Sequence, residues 1–503
     1  MTENSLTPIV AQGRNCWRIA RASEASVIVD AADYYRHISA AMVAAEHLIL
    51  IVGWDFDTRI ALAPDERGKG ETLGRFFLRL AHDKPTRQIL ILKWSFGALK
   101  QFARPAAIVW LARWWRTRSI DFRFDRSHPP GCSHHQKIVV IDDCLAACGG
   151  IDMSSRRWDT CRHLDDDPYR KQPDGEPYGP WHDATMLMRG EVAQLLGVLG
   201  RERWKIATHE RLESLPTCHG NWPDDIPPMF ENVDIAIART RAAYDDVAEV
   251  HEIESLTLDM IAAAKRFIYF ENQYFTSAKI AAAIATRMAE DDPPEIVLVM
   301  PRTADGWLEQ KAMDAARLQI VAAIANADRH NRFRVFVPVT TGGADIYVHA
   351  KIAIVDDRLL RVGSANLNNR SQRLDSECDV VIDTALAANR ATGPAITALR
   401  HRLLGEHLDC PAESIAAAER GGASMLTAIE ALRGAGKTLD LLELEDLGEV
   451  EKFIAANELL DPETPDQLLE PVGQRGLVKS WAKGRAMIAG RLGRRRTGLA
   501  PRQ

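Results

Sequence analysis

The sequence predicts two α/β units of similar architecture, followed by a helical extension. Three observations support this fold class. A histidine–lysine–aspartate pattern occurs twice at one constant offset, around His135 and around His349. In both halves a helical stretch leads into an apolar strand. The other apolar runs are short and β-branched, and helical patterns separate them, as in sheets that are covered by helices.

Each half begins with the same order of elements. Residues 28–47 carry apolar side chains at helical spacing, and the apolar run 47–52 follows as a strand. In the second half, the helical stretch 246–266 leads into the strand 266–275 in the same way. We predict further strands at Gln88–Lys93, Ile120–Phe124, Glu295–Met300 and Phe333–Val337. The duplication therefore extends beyond the short motifs.

The repeated motif has the form H-x-K-x-x-x-x-D, and a glycine follows after six more residues. Its members pair at the constant offset: His135 with His349, Lys137 with Lys351, Asp142 with Asp356, and Gly149 with Gly363. Two matches in register indicate that a catalytic half-site has been duplicated. The run 138–141 within the first motif is β-branched, which predicts a strand buried on both faces.

Each motif has the chemistry of half an anion site. Because side chains alternate along a strand, His135 and Lys137 should lie on the same face. Two such halves would surround one phosphoryl group with two imidazoles and two ammonium groups. One neutral histidine can attack phosphorus while the other, protonated, gives its proton to the leaving oxygen. Lys137 and Lys351 would stabilise charge on the equatorial oxygens.

Asp142 and Asp356 complete the motifs and are counted among the catalytic candidates. Because each lies seven residues beyond its histidine, alternation turns it to the opposite face, and we predict that it pairs with buried backbone or with a cation. The substrate-binding candidates follow each motif, where glycines let the chain turn closely past the site. They are Gly149, Asp152, Gly363, Ser364 and Asn366.

Composition excludes several classes of protein. The chain has 503 residues, enough for two to four domains, and its formal net charge of −6 does not suggest a nucleic-acid partner. The eight cysteines form no C-x-x-C pair, so we expect no zinc site and a reducing compartment. Residues 1–20 lack a signal-peptide core and no segment suits a bilayer span, so we expect a cytoplasmic protein, peripheral at most on the membrane's inner face.

Seven segments within roughly residues 45–380 carry a resemblance to a known family. They are His134-His135-Gln136-Lys137, Gly149-Gly150-Ile151-Asp152, Arg157-Trp158-Asp159, Pro180-Trp181-His182-Asp183, Glu271-Asn272-Gln273-Tyr274-Phe275, Ile346-Tyr347-Val348-His349-Ala350-Lys351 and Asp375-Ser376-Glu377. The chain resembles the phospholipase D superfamily, and within it the phosphatidylcholine-hydrolysing type shared by eukaryotes and some bacteria. The paired motifs specify the superfamily, and the other segments favour this branch over cardiolipin synthases and nucleases.

The resemblance implies two pseudo-symmetric α/β sandwich domains with the active site between them. The domains would be 1–220 and 235–410, each with one motif, and 411–503 would be a helical extension with a basic tail. The resemblance also implies a covalent phosphohistidine intermediate and no metal or other cofactor. Asp183 and Glu377 would stand behind the two histidines, where a carboxylate accepts Nδ1–H and stabilises the imidazolium.

Two departures from the family pattern limit what is carried over. No N-terminal lipid-binding modules like those of the eukaryotic enzymes are recognisable, so regulation by phosphoinositides is not expected. Position 150 is glycine where the second motif has Ser364, so the two halves are not equivalent.

Three stretches outside the motifs have distinctive compositions. Residues 93–118 mix aromatic and basic side chains, which suits a membrane interface, although a core helix with a basic rim is the stronger interpretation. Residues 440–452 are acidic and leucine-rich, which predicts a helix packed on the body. From residue 471 onwards there is no acid, and the basic residues suit either an anchor for anionic lipid or a solvated tail.

The predicted function is that of a phospholipase D, which hydrolyses the distal phosphodiester of glycerophospholipids to phosphatidic acid and a head-group alcohol. We assign His135 as the nucleophile and His349 as the general acid, and expect transphosphatidylation as a side activity. Three alternatives stay open. They are phosphatidyl transfer in cardiolipin synthesis, a nuclease with steep salt dependence, and a non-catalytic lipid-binding scaffold, which would predict a broken motif.

Overall fold

The computed structural model of the chain describes residues 7–94, 105–215, 222–303 and 307–442. The basic tail from residue 471, most of the predicted acidic helix 440–452 and residues 95–104 of the aromatic and basic stretch lie outside these ranges.

The first half holds the following elements in chain order: β1 (Arg18–Val29), α1 (Ala31–Ala44), β2 (Leu48–Gly53), α2 (Leu73–Asp83), β3 (Gln88–Trp94), α3 (Pro105–Trp115), β4 (Ile120–Asp125), β5 (Ile138–Ile141), β6 (Leu145–Gly149), β7 (Trp181–His182), β8 (Ala184–Gly190) and α4 (Glu191–Thr208). The predicted helix at 28–47 begins only at Ala31, because Ile28 and Val29 end a strand that was not predicted. Asp30, with a φ of 67°, turns the chain between the two elements.

The second half and the extension continue with β9 (Phe230–Arg241), β10 (Val250–His251), α5 (Glu252–Ala263), β11 (Phe267–Glu271), α6 (Ala278–Met288), β12 (Glu295–Val299), α7 (Trp307–Ala327), β13 (Phe333–Val339), β14 (Tyr347–Val348), β15 (Ile352–Val355), β16 (Leu359–Gly363), β17 (Glu377–Asp383), α8 (Gly393–His407), α9 (Ala412–Arg420), α10 (Met425–Leu432) and β18 (Thr438–Leu441). A short π-helix, Arg370–Leu374, precedes β17, and a 3-10 turn, Ala387–Asn389, follows it.

Among the residues that the structure describes, one mixed sheet of 16 strands runs through both halves. Its order is β18-β13-β12-β11-β15-β16-β17-β9-β1-β8-β6-β5-β2-β3-β4, and β10 pairs with β9. Apart from β18 and β10, the order is symmetric about the antiparallel pair β1 and β9. The outer strands β2, β3 and β4 are parallel, as are β11, β12 and β13. The duplication seen in the motifs is therefore a duplication of the whole strand order, and the predicted α/β fold class is confirmed.

The strands that follow the motif lysines lie deep in the core. All residues of β5 and of β15 are buried, as the β-branched runs predicted. Next to them, the strands β6 and β17 of opposite halves come together, where the Cys148 thiol donates to the carbonyl oxygen of Cys378 at 3.3 Å. This contact brings the ends of the two motif regions to one place.

The extension contains the expected helices α9 and α10, but its last described part differs from the prediction. Residues 438–441 form the strand β18 instead of starting a helix at 440. β18 pairs with β13, whose edge would otherwise be open, and Leu439 is fully buried there. Hydrogen bonding to the unpaired backbone of β13 is therefore more favourable here than the helix that the leucine pattern predicted.

Two observations bear on localisation. Within the described ranges, no helix is both long and apolar enough to cross a membrane. Cys144 is disulfide-bonded, whereas Cys16, Cys132, Cys148, Cys161, Cys378 and Cys410 are free. The reducing compartment expected from the cysteine spacing stays a prediction, because one disulfide does not decide the compartment.

Candidate active site

The two motif histidines occupy equivalent places in the two halves, two residues ahead of the lysine that precedes β5 or β15. In each motif the lysine turns back onto its histidine. Lys137 Nζ donates to the carbonyl oxygen of His135 at 2.9 Å, and Lys351 Nζ donates to that of His349 at 2.5 Å. Each histidine and its lysine therefore act as one structural unit.

His135 is oriented by a carboxylate from the second half. Its Nδ1 lies 3.0 Å from both carboxylate oxygens of Glu377 and 3.1 Å from the carbonyl oxygen of Ser364. The edge of the imidazole faces Trp54, with 6.0 Å between the ring centroids. Because Nδ1 is occupied as a donor, Nε2 carries the free lone pair.

His349 is oriented by a carboxylate from the first half. Its Nδ1 lies 2.7 Å from Asp183 Oδ2, and 5.2 Å separates the centroids of its imidazole and the Trp181 ring. The two histidine–carboxylate pairs are therefore crossed, since each half supplies the carboxylate for the histidine of the other half.

The carboxylates themselves are held differently. Glu377 accepts from the hydroxyls of Ser364 at 2.5 Å and Ser371 at 2.6 Å. Asp183 accepts from the backbone N–H of Ala184 at 2.8 Å. A Cβ at Gly150, the counterpart of Ser364, would lie 2.1 Å from Asp183 Oδ1. The sequence difference between the halves thus has a cause: Asp183 fills the space that the serine side chain takes in the second half.

The two lysines are both buried but have different partners. Lys137 Nζ lies 3.1 Å from Asp152 Oδ2, and Lys351 Nζ donates to Gln273 Oε1 at 3.2 Å. One lysine is therefore paired with a charge and the other with a neutral amide. Lys351 therefore lacks the direct carboxylate contact that compensates the charge of Lys137.

Burial and the lysines set the protonation of the histidines. Burial, followed by Lys137 and Lys351, holds the pKa of His135 well below its ordinary value. Burial, Lys351, Arg157 and Lys137 do the same for the pKa of His349. Both imidazoles are therefore neutral without substrate, and both lysines are close enough to act on both of them.

Burial also disfavours the charged forms of Lys351 and Glu377. Burial lowers the pKa of Lys351 to about 7, although Asp183 opposes the shift. Burial raises the pKa of Glu377 to about 8, against Lys137 and the two hydroxyls that favour the carboxylate. A phosphate anion that enters the site compensates the lysines, and it thereby favours protonation of a histidine and of Lys351.

The structure corrects the place of Asp142 and Asp356 among the catalytic candidates. Asp142 accepts from three successive backbone N–H groups at the start of β2, and Asp356 accepts from three at the start of β11. Strand alternation turns both away from the histidines. These contacts agree with the backbone pairing predicted from that alternation.

The substrate-binding candidates divide into three groups. Asp152 contacts Lys137, and Ser364 contacts Glu377, as described. Gly149 and Gly363 instead permit close strand packing, because a Cβ would lie 2.4 Å from Thr185 Cα or 1.9 Å from Asp379 Oδ1. Asn366 is buried, and its Oδ1 accepts no hydrogen bond within the described part of the chain.

Four further residues line the site and were not predicted as site residues. Trp54 and Trp181 lie beside the two histidines, the Arg157 guanidinium stacks 4.1 Å from the Trp181 ring centroid, and Gln273 binds Lys351. Arg157, Trp181 and Gln273 fall in segments that carried the family resemblance. Their presence there was the available signal, but spacing alone did not assign them a contact.

Comparison with known proteins finds relatives of one kind. A family model described as "Cardiolipin synthase, PLD-like domain" matches residues 257–393, which include the second motif. Phospholipase D1 of Saccharomyces cerevisiae is 25% identical over 500 residues, and phospholipase D alpha 1 of Carica papaya is 24% identical over 579 residues. These matches support assignment of the chain to the phospholipase D superfamily.

Superfamily members of different activity resemble the chain. The yeast match covers 78% of this chain but 29% of the yeast protein, and the papaya match covers 86% and 69%. Cardiolipin synthase A of Proteus mirabilis is 27% identical over 249 residues, which cover 50% of this chain and 44% of that protein. The solved phosphatidylserine synthase of Haemophilus influenzae shares the fold, with a TM-score of 0.50 and 12% identity over 74% of this chain and 85% of its own.

Proposed function

We propose that the protein is a phospholipase D, which hydrolyses the distal phosphodiester of glycerophospholipids to phosphatidic acid and a free head-group alcohol. One observation carries the proposal. Two imidazoles, each with Nδ1 on a buried carboxylate and Nε2 left for chemistry, share a site with two buried lysines. This arrangement suits attack on a phosphodiester by one histidine and proton donation by the other.

In the proposed reaction, Nε2 of His135 attacks phosphorus and the bond from phosphorus to the head-group oxygen breaks. The protonated His349 donates its proton to that oxygen, so the alcohol leaves neutral. Water then attacks the phosphohistidine, and His349 takes the proton from the water. Phosphatidic acid leaves and His135 is neutral again. Lys137 and Lys351 stabilise the charge on the non-bridging oxygens throughout.

Two contrasts support His135 as the nucleophile. Its side chain is 14% exposed, compared with 5% for His349, so it is the more open to a bulky phosphorus centre. Its partner Glu377 is held by two serine hydroxyls, which fixes the imidazole ring before the substrate arrives. A ring that is fixed in advance loses little freedom on attack.

Phosphatidyl transfer, as in cardiolipin synthesis, is the second candidate. The matched family model is named for cardiolipin synthase, and the relative from Proteus mirabilis bears that name too. The chemistry up to the phosphohistidine is the same. The acceptor decides between the two, since water gives hydrolysis, and the glycerol hydroxyl of a second lipid gives transfer.

The deciding experiment uses the purified full-length chain on a panel of phospholipid vesicles, with detection of phosphatidic acid, head group and cardiolipin. The His135→Ala variant serves as the inactive control. We expect phosphatidic acid and head group in equal amounts from the wild type. Cardiolipin as the main product from phosphatidylglycerol would favour the transferase. No product from any lipid with the wild type would contradict both candidates.

We also propose that the protein binds the membrane peripherally and reversibly. In the described part of the aromatic and basic stretch, Trp114 is buried among aromatic rings and Trp115 is 87% exposed. Trp114 holds the helix to the core, and we take the basic tail 471–503 as the candidate for the anchor. Deletion of the tail should weaken binding to anionic vesicles, while turnover of a short-chain soluble substrate stays nearly unchanged. Unaltered vesicle binding at low and moderate salt would contradict the anchor.

A further inference from the structure

A buried cluster of histidines and carboxylates lies behind the active site. His163, His182, Asp30 and Glu406 each offer one ligand atom, and these four atoms all lie within 4.8 Å of one another. The four residues come from separate parts of the chain: the β1–α1 junction, the loop after β6, the strand β7 and the end of α8. None of them takes part in the proposed reaction.

The spacing of the four ligand atoms is close to that of a tetrahedral metal site. His163 Nε2 lies 3.7 Å from Asp30 Oδ2 and 3.2 Å from Glu406 Oε1. His182 Nδ1 lies 2.9 Å from Glu406 Oε1 and 3.4 Å from the other Asp30 oxygen, Oδ1. Zinc with tetrahedral bonds to nitrogen and oxygen requires ligand atoms about 3.3 Å apart. Small side-chain shifts would bring one Asp30 oxygen and the other three atoms to this spacing.

The second ring nitrogen of each histidine is bound as in known zinc sites. His163 Nδ1 lies 2.9 Å from Asp159 Oδ2, and His182 Nε2 lies 2.8 Å from Glu271 Oε2. A carboxylate that accepts the other ring N–H fixes the tautomer and raises the basicity of the ligand nitrogen. The tautomer with its proton on the Asp159 or Glu271 side leaves a lone pair at His163 Nε2 and at His182 Nδ1, the two nitrogens that contact Glu406 Oε1.

One ligand atom lacks a hydrogen bond. Asp30 is 1% exposed, and its Oδ2 accepts no hydrogen bond from any residue that the structure describes. A buried carboxylate oxygen in that position is costly unless a cation or a donor compensates it. A metal ion between Asp30 and His163 would supply the compensation.

We propose that Asp30, His163, His182 and Glu406 bind one zinc ion. Two imidazoles and two carboxylates form a donor set that suits zinc, whereas calcium and magnesium prefer six or more oxygens. The other group of this kind, His182, Glu271 and His407, offers only three ligand atoms and shares His182 with the first. The lack of paired cysteines, which argued against zinc, does not apply to this type of site.

The ion would join the two halves next to the catalytic machinery. Asp30, His163 and His182 belong to the first half, and Glu406 belongs to the second. The carbonyl oxygen of His182 accepts from the His349 N–H at 2.7 Å, and the Asp30 N–H donates to the carbonyl oxygen of Asp183 at 2.7 Å. The ion would therefore support the His349–Asp183 pair from behind, without contact with the phosphate.

The test measures metal content in the purified full-length chain after expression with added zinc. We expect one zinc per chain in the wild type. The zinc content per chain should fall by at least about tenfold in His163→Gln and in Asp30→Asn. His401→Gln is the matched control, because His401 is a buried histidine on a carboxylate, Glu419, outside the cluster. It should keep its zinc.

A second measurement covers the case in which the cluster variants do not fold. Wild-type protein is unfolded in chelator and refolded with Co²⁺ in place of zinc. A tetrahedral site gives the strong visible absorption of four-coordinate Co²⁺, and one equivalent of zinc should abolish it. Wild-type protein that takes up neither metal would overturn the proposal, as would equal zinc content in wild type and His163→Gln. Neither readout depends on which phospholipid is cleaved, so the proposed function can fail independently.

Discussion

Glu377 lies 3.0 Å from Nδ1 of His135, although the glutamate belongs to the second half of the chain and the histidine to the first. The reciprocal contact joins Asp183 of the first half to His349 of the second at 2.7 Å. Neither half therefore contains a complete histidine–carboxylate pair of its own. The exchange makes each histidine depend on the other half of the chain for its orientation.

The two histidines should fail at different steps when they are replaced. A p-nitrophenol leaving group departs readily as an anion, whereas choline needs a proton. We expect His349→Ala to lose about a hundredfold or more on a choline ester and much less on a p-nitrophenyl ester. His135→Ala should be inactive on both, and acid quench of the wild type should trap phosphohistidine at residue 135. The opposite pattern would exchange the two roles. Equal rescue of both variants, without a trapped intermediate, would contradict covalent catalysis.

The crossed pairing predicts which carboxylate variant resembles which histidine variant. Asp183→Asn should lower turnover of the choline ester by about tenfold to a hundredfold and be partly rescued by the p-nitrophenyl ester, because Asp183 orients the acid His349. Glu377→Gln should not be rescued, because Glu377 orients the nucleophile. If the rescue instead follows Glu377→Gln, the pairs are not crossed in solution. Asp379→Asn is the control for the loss of a buried carboxylate. Asp379 lies two residues after Glu377 on the same strand, but it pairs with Arg361.

Replacement of Lys351 tests whether this lysine faces the phosphoryl group. Lys351→Ala should lower turnover by about a hundredfold or more, because it removes a cation from the equatorial oxygens. Lys279→Ala, at an exposed lysine that pairs with Glu254, is the control and should keep full turnover. Near-full turnover of Lys351→Ala would show that the lysine does not act on the transition state.

The pH dependence follows from the lowered pKa of Lys351. With a pKa of about 7, the lysine is charged below pH 7 and neutral above it. We expect kcat/KM, which reports the free enzyme, to fall as the pH rises through about 7. The corresponding fall in kcat should come at higher pH, because the bound phosphate favours the charged lysine. Lys351→Arg, whose side chain stays charged, should lose this limb from its profile even if its rate is low. A limb that persists in Lys351→Arg would belong to another group.

Brief treatment with EDTA should leave the initial rate nearly unchanged. The cations that face the phosphate are Lys137 and Lys351, so phosphoryl transfer itself needs no metal. Loss of activity within seconds, restored by a divalent ion in the catalytic step, would contradict this. Removal of the proposed zinc is a separate and slower event, since its ligands are buried, and it should appear as lower thermal stability rather than as an immediate loss of rate.

Much of the fold can be predicted from the sequence, because the catalytic motif is repeated and the side chains along its strands alternate regularly. The constant offset between His135 and His349 reveals the duplication, and the β-branched runs after Lys137 and Lys351 mark the two central strands. Alternation along those strands also separates the aspartates from the site, and Asp142 and Asp356 do bind backbone. Each of these inferences uses distances along one strand, where sequence separation sets geometry directly.

Other features depended on how distant segments meet. The choice of Glu377 for His135, of Gln273 for Lys351 and of Glu406 for the histidine cluster has no local pattern. The contacts of Glu377 and Glu406 follow from the pairing of β1 with β9, which joins the two halves in one sheet and brings β6 and β17 together. The contact of Gln273 with Lys351 follows from the pairing of β11 with β15 within the second half. A side chain's partner across such a contact is decided by packing and by the need to compensate buried charge, and neither quantity can be read from spacing along the chain.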